Sequence, residues 1–151
     1  MSTDRIERSV VLQAPRERVW KAFSDPTAFG EWFGVRLNGR FEPGARLTGK
    51  VTHKGYENYP FEFTLDRIEP ERVLSFRWHP NAVDIGKDYS GEPTTLVTFH
   101  LDDVPGGTKL TLLESGFDAL PEDRRRTAYE GNEKGWTMQM ESIQRYLEKA
   151  A

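Results

Sequence analysis

Residues 121–148, PEDRRRTAYEGNEKGWTMQMESIQRYLE, read as one long amphipathic helix. Trp136, Met140, Ile143 and Leu147 recur at steps of four, three and four, which lays a single apolar stripe along it, with Glu141, Arg145 and Glu148 on the opposite side. Pro121 suits the opening of such a helix. Gly131 and Gly135 fall inside it, and since each costs about 1 kcal/mol relative to Ala in a helix interior, they predict a bend, a break or close packing between residues 131 and 135. A helix with one apolar stripe needs a surface to lie on, and the chain ahead of it reads as strands.

In the last of these strands Leu110, Leu112 and Glu114 share a face, after the turn Pro105-Gly106-Gly107 and the alternating Val97, Phe99 and Leu101. Phe61, Phe63 and Leu65 alternate with Glu62, Thr64 and Asp66, and Glu69-Pro70-Glu71 turns the chain into Leu74, Phe76 and Trp78. Asn38-Gly39 is a short-range hairpin signal in the stretch Val35 to Phe41, and Pro43-Gly44 is a second turn before a strand from Ala45 to Val51. At the start, Ile6, Arg8, Val10 and Leu12 line one face of a first strand. Helical spacing takes over from Pro15 with Val19, Trp20 and Phe23, stops at Asp25-Pro26, and resumes briefly over Thr27 to Phe33 with Phe29, Trp32 and Phe33 inward. Residues 80–93 lack periodicity and read as a loop.

The pattern is continuous over 151 residues, so residues 1–151 are expected to form one domain with one core. A formal charge of −3 argues against a grip on nucleic-acid backbones, which needs clustered Lys and Arg. The absence of Cys removes disulfides, thiolate nucleophiles and Cys-ligated zinc, and suits a reducing compartment. Met1 to Arg8 mixes acidic with basic residues and has no apolar run, unlike a signal or transit peptide, and no stretch approaches the ~20 apolar residues of a membrane span. The expected location is the cytoplasm.

The residues at the joints of this order are specific: Ala14-Pro15 with Val19-Trp20, Phe23-Ser24-Asp25-Pro26, Trp32-Phe33, Phe76-Arg77-Trp78, Val97-Thr98-Phe99, Leu110-Thr111-Leu112 with Glu114-Ser115-Gly116-Phe117, and Gly135-Trp136. Together, over residues 5–148, they resemble the SRPBCC or START-like superfamily, nearest to the branch related to the C-terminal domain of the activator of heat-shock protein 90 ATPase. The resemblance implies an α+β helix-grip fold. In it a curved antiparallel sheet of about six to seven strands wraps the C-terminal helix, often around a cavity, with one or two short helices after the first strand. That superfamily includes lipid and hormone binders, polyketide cyclases and aromatases, and chaperone activators, so fold does not decide function. The eukaryotic chaperone activators also carry a separate chaperone-contacting N-terminal domain, for which this chain is expected to have no room.

Glu114 is the most informative residue, because alternation aims its carboxylate at the presumed cavity, where it is expensive unless paired or wet. If the first and last strands are neighbours, as the resemblance implies, Arg8 is a plausible partner on the same face. Glu114 is then either one half of a buried ion pair or a polar contact for a ligand. Trp32, Phe33, Phe63, Phe76, Trp78, Phe117, Trp136 and Met140 are the expected pocket walls, any one of which reads by itself as core filling, while the rings together exceed what the small helix from Pro15 to Ser24 needs. His53, His79 and His100 are scattered and form no metal motif, so no metal or cofactor is expected. His79, beside the pocket mouth, is the one histidine placed to act as acid or base. Arg124-Arg125-Arg126, beside Glu122 and Asp123, reads as a solvated face.

The leading expectation is a non-enzymatic domain that binds a small hydrophobic or amphipathic molecule between sheet and helix. The alternatives are a stress-related or chaperone-linked protein-interaction module, and an enzyme of the cyclase or aromatase kind.

Overall fold

The computed structural model describes residues 4–82 and 86–149. Residues 1–3 and 150–151 of the expected domain, and 83–85 of the expected loop, lie outside this range.

The elements follow the predicted order. β1 (Arg5–Leu12) leads into α1 (Arg16–Ser24) and α2 (Pro26–Phe33). Next come β2 (Val35–Asn38), β3 (Arg46–Val51), β4 (Pro60–Glu69), β5 (Val73–Trp78), β6 (Thr95–Val104) and β7 (Gly107–Ser115), then a 3-10 turn at Phe117–Ala119 and α3 (Glu122–Lys149). The strands form one seven-stranded antiparallel sheet in the order β1-β7-β6-β5-β4-β3-β2, so the first and last strands are neighbours, Ile6 opposite Glu114 and Arg8 opposite Leu112. The two short helices are separated by Asp25, whose side chain accepts from the Ala28 N–H at 3.1 Å, with Pro26 at the start of α2.

α3 runs unbroken for 28 residues, so of the alternatives raised by its glycines, close packing applies at Gly131 and nothing comparable at Gly135. A Cβ at Gly131 would meet the Asn81 amide at 3.0 Å, whereas one at Gly135 would find no atom within 4 Å. The Asn38-Gly39 hairpin is also corrected. β2 ends at Asn38, opposite Thr48, and the turn to β3 is a longer connection that Pro43-Gly44 helps to close, with the Gly44 N–H donating to the Leu65 carbonyl at 2.8 Å.

The inner face of the sheet is filled by rings. Phe23, Phe29, Phe63, Phe76 and Phe99 are fully buried and pack tilted or edge-on against one another or Trp32, with centroids 4.5–6.4 Å apart. Such geometries favour aromatic pairs beyond their buried area. Trp136, Met140, Ile143 and Leu147 of α3 are buried as their spacing predicts.

Arg124 overturns the reading of its run as a solvated face, because the first turns of α3 pack against residues 80–81 and 89–92. Its guanidinium donates to Glu92 at 2.9 Å and to the carbonyls of Pro80 at 2.7 Å and Asn81 at 3.3 Å, and lies over the Tyr89 ring. Arg126 does stay in solvent. Burial pushes the Glu92 carboxyl upward, but hydrogen bonds and charge from Arg124 and Lys87 outweigh it and hold it below the ordinary 4.5. A lowered carboxylate stabilises the fold above its unfolded value and loses that contribution as pH falls through the folded one. The protection factors of the amides of residues 86–94, with the intrinsic pH dependence of exchange divided out, are therefore expected to be constant above about pH 4.5 and to fall below it ahead of those of the sheet, and an Arg124→Met variant should show that lower protection already at neutral pH.

Candidate functional site

Where β5, β6 and β7 end together, four donors converge on the fully buried Glu114. Trp78 and Thr95 are directly paired across β5 and β6, and both reach Oε2, the indole Nε1–H at 2.7 Å and the hydroxyl at 2.5 Å. From α3, the Trp136 Nε1–H donates to Oε1 at 2.8 Å, and the Asn132 amide N–H donates to Oε1 at 2.9 Å and Oε2 at 3.2 Å. A carboxylate offers about four lone-pair sites on its two oxygens. Glu114 is therefore satisfied entirely by neutral donors and has no acceptor capacity left for a ligand. Among the described residues no Lys or Arg lies within ion-pairing distance of it.

This corrects the expected partnership with Arg8. Arg8 does point inward, but its guanidinium reaches past the end of the carboxylate cluster to α3, where it meets Glu133 at 3.9 Å and Thr137 Oγ1 at 3.4 Å. The long side chain keeps its charge at the half-exposed edge between β1 and α3, where burial is cheaper than beside Glu114.

Over this cluster lies an open recess of about 170 Å³, lined by Phe33, Trp78, Asn132, Gly135, Trp136 and Gln139. The three rings touch one another, Trp78 to Trp136 at 5.7 Å, Phe33 to Trp136 at 6.0 Å and Phe33 to Trp78 at 6.1 Å between centroids. Residues 132, 135, 136 and 139 are one face of α3. Both amides turn their N–H groups to the protein, Asn132 to Glu114 and Gln139 to the Phe33 carbonyl at 2.7 Å. Among the described residues no donor reaches either amide oxygen, so the polar groups left to the recess are acceptors.

Of the expected pocket walls, Phe33, Trp78 and Trp136 line the recess, with Glu114 behind them. Trp32, Phe63, Phe76 and Met140 are core side chains instead. Phe117 is also buried elsewhere, against Tyr129 at 5.2 Å. The rings that sequence places around a cavity fill most of it themselves. Asn132, Gly135, Gln139 and Thr95 were not foreseen. Three of them share a helical face with Trp136, and Gly135 had stood out as a helix-interior glycine, so spacing alone could have found them.

His79 is tied through Nε2 to the Glu92 carbonyl at 3.0 Å, and His53 stacks on Tyr56. Neither lines the recess, and among the described residues no three His, Asp or Glu side chains are grouped to hold a metal. A wider hollow of about 350 Å³ lies between the end of β1 and the last turns of α3, where Gln13, Gln144 and Glu148 make its walls polar and the Arg18 guanidinium is occupied by the Leu147 carbonyl. No helix among the described residues is long and apolar enough to cross a membrane.

A sheet gripping one long helix, with a ring-lined recess at the end of the grip, defines a helix-grip domain of the SRPBCC type. Residues 13–148 match the family described as Activator of Hsp90 ATPase homolog 1-like protein, and the chain belongs to it. Solved structures share the fold. Protein MLL2253 of Mesorhizobium loti is 23% identical with a TM-score of 0.77, covering 97% of this chain and 98% of that one. Protein NE0264 of Nitrosomonas europaea is 16% identical with a TM-score of 0.77, covering 99% and 97%. DynU16, a protein from the dynemicin biosynthetic locus, is 25% identical with a TM-score of 0.72, covering 97% of this chain and 48% of its own. No curated protein matches the chain.

Proposed function

We propose that the protein is a binding domain for a small, flat, ring-sized molecule seated in the recess against Trp78, Trp136 and Phe33. The observation that carries this reading is Gly135. In the middle of a 28-residue helix, facing a cluster of rings, the chain keeps a residue that weakens the helix and leaves open the space a side chain would occupy. Local rules broken without a packing reason are expected at functional positions. The volume argues for a small ligand, since sites for drug-sized molecules run to about 300–1,000 Å³. A whole lipid or steroid does not fit, and the earlier expectation of a hydrophobic or amphipathic ligand narrows accordingly.

Binding is favoured over proton chemistry because none of the six lining side chains titrates and Glu114 is saturated by its donors. The family description keeps a chaperone partner as the second reading. Among the described residues, though, the exposed large apolar side chains, Val11, Tyr56 and Met138, fall on three different elements, which gives that reading less support.

The glycine supplies the test. Gly135→Ala should raise stability by about 0.5–1 kcal/mol, or roughly 2–4 °C in Tm, because the added methyl meets nothing. Gly131→Ala should give no such gain, because Asn81 must move. Gly135→Leu should keep the fold and fill the recess. In a thermal-shift panel of phenol, benzamide, nicotinamide and N-methylpyridinium, at least one compound should raise the wild-type Tm by about 3 °C at tenfold excess over its Kd and leave Gly135→Leu unmoved. No shift with any of them, or equal shifts in both proteins, would overturn the reading.

A further inference from the structure

We propose that the ligand is a small organic ammonium ion, held by cation–π attraction to the indoles of Trp78 and Trp136. This rests on the recess being a binding site and adds the charge of what it binds.

Three features of the site favour a positive guest. First, the walls are aromatic, with Phe33 and Trp78 partly exposed at the recess and Trp136 2% exposed behind them, and Trp is the best aromatic partner for a cation. Second, both indoles donate their Nε1–H to one carboxylate, at 2.7 and 2.8 Å. Chains of hydrogen bonds polarise one another, so an indole that gives its proton toward an anion presents a more electron-rich ring. Third, the Glu114 carboxyl oxygens, acceptors to every group that reaches them, lie behind those rings with no Lys or Arg in contact among the described residues, and the nearby Arg8 is engaged by Glu133. Charge behind a low-dielectric wall acts over several ångströms, since screening by water is excluded there. The donor set that satisfies these oxygens is neutral and brings no positive charge of its own.

The polar groups at the recess agree in sign. The Asn132 and Gln139 amides, both lining the recess, spend N–H groups on Glu114 and on the Phe33 carbonyl, and among the described residues no donor reaches their oxygens. An anion or a pure acceptor would meet repulsion from these oxygens and from the ring faces, and a donor or cation meets attraction. At about 170 Å³ the recess suits a trimethylammonium or single-ring ammonium head.

Isothermal titration with choline and with its uncharged isostere, in which a quaternary carbon replaces the nitrogen, isolates the charge at constant shape. Choline is expected to bind wild type about tenfold more tightly than the isostere, and to lose binding in Gly135→Leu. Equal affinities for the two probes would overturn the cation and leave the recess as a site for neutral ligands. Binding of choline that survives Gly135→Leu would place it elsewhere and overturn the proposal. If neither probe binds wild type, the proposal falls, and the single-ring panel decides separately whether the recess binds anything.

Discussion

Replacing Glu114 by alanine is expected to remove about 4 kcal/mol of stability, most of what a domain at the weaker end of the ~5–15 kcal/mol range has. The loss comes from what is left behind rather than from the carboxylate itself. Two indole N–H groups, an amide and a hydroxyl would each face a cavity without an acceptor, and a buried donor left unmade costs about 1–3 kcal/mol. Water entering from the recess offsets part of that sum. Glu114→Gln tests the same point more gently. It keeps the volume but turns an amide N–H toward donors on one side, and should cost about 2–3 kcal/mol. Urea denaturation of the three proteins checks both values. A Glu114→Gln variant as stable as wild type would mean that the donors do not need a carboxylate.

Trp136→Ala is expected to cost about 3–5 kcal/mol, the range for a buried aromatic, and to lower Tm by on the order of 10 °C or more in a chain of this size. The ring is 2% exposed and touches Phe33, Trp78 and Phe99, so truncation empties the centre of the grip between sheet and helix. It also takes one donor from Glu114. Trp136→Phe separates the two parts, retaining most of the ring packing and losing the Nε1–H. Because Trp136 and Glu114 share a hydrogen bond, the Glu114→Gln and Trp136→Phe effects should be non-additive by more than about 0.5 kcal/mol in a double-mutant cycle. Additive effects would show that the two residues act separately.

The fold was legible because its elements obey two periods. Alternation through Leu110, Leu112 and Glu114 aimed the carboxylate inward, and the four-three-four spacing from Trp136 to Leu147 gave α3 its buried side. What alternation cannot express is a partner brought in from another element. The donors to Glu114 lie 18 to 36 residues away in sequence and are uncharged, so opposite charge on the neighbouring strand points to Arg8 rather than to them. The recess was overestimated for a related reason. Rings with one inward face can fill a cavity or line it, and only their mutual distances, such as 4.5 Å for Phe63 and Phe76, show that they fill it. A run of three arginines looks solvated in sequence, and only the Glu92 carboxylate and the Pro80 carbonyl laid against it show Arg124 to be buried.

The most direct measurement is an indole nitrogen–proton correlation spectrum recorded while the single-ring panel and choline are titrated into wild type and Gly135→Leu. The chain has four Trp residues, of which Trp78 and Trp136 border the recess, while the Trp32 Nε1–H is held in the core by the Ala22 carbonyl. The expected result is saturable movement of the Trp78 and Trp136 signals in wild type, with Trp32 still and no movement in Gly135→Leu. Four stationary signals across the panel, or equal movement in both proteins, would contradict a binding site at this recess.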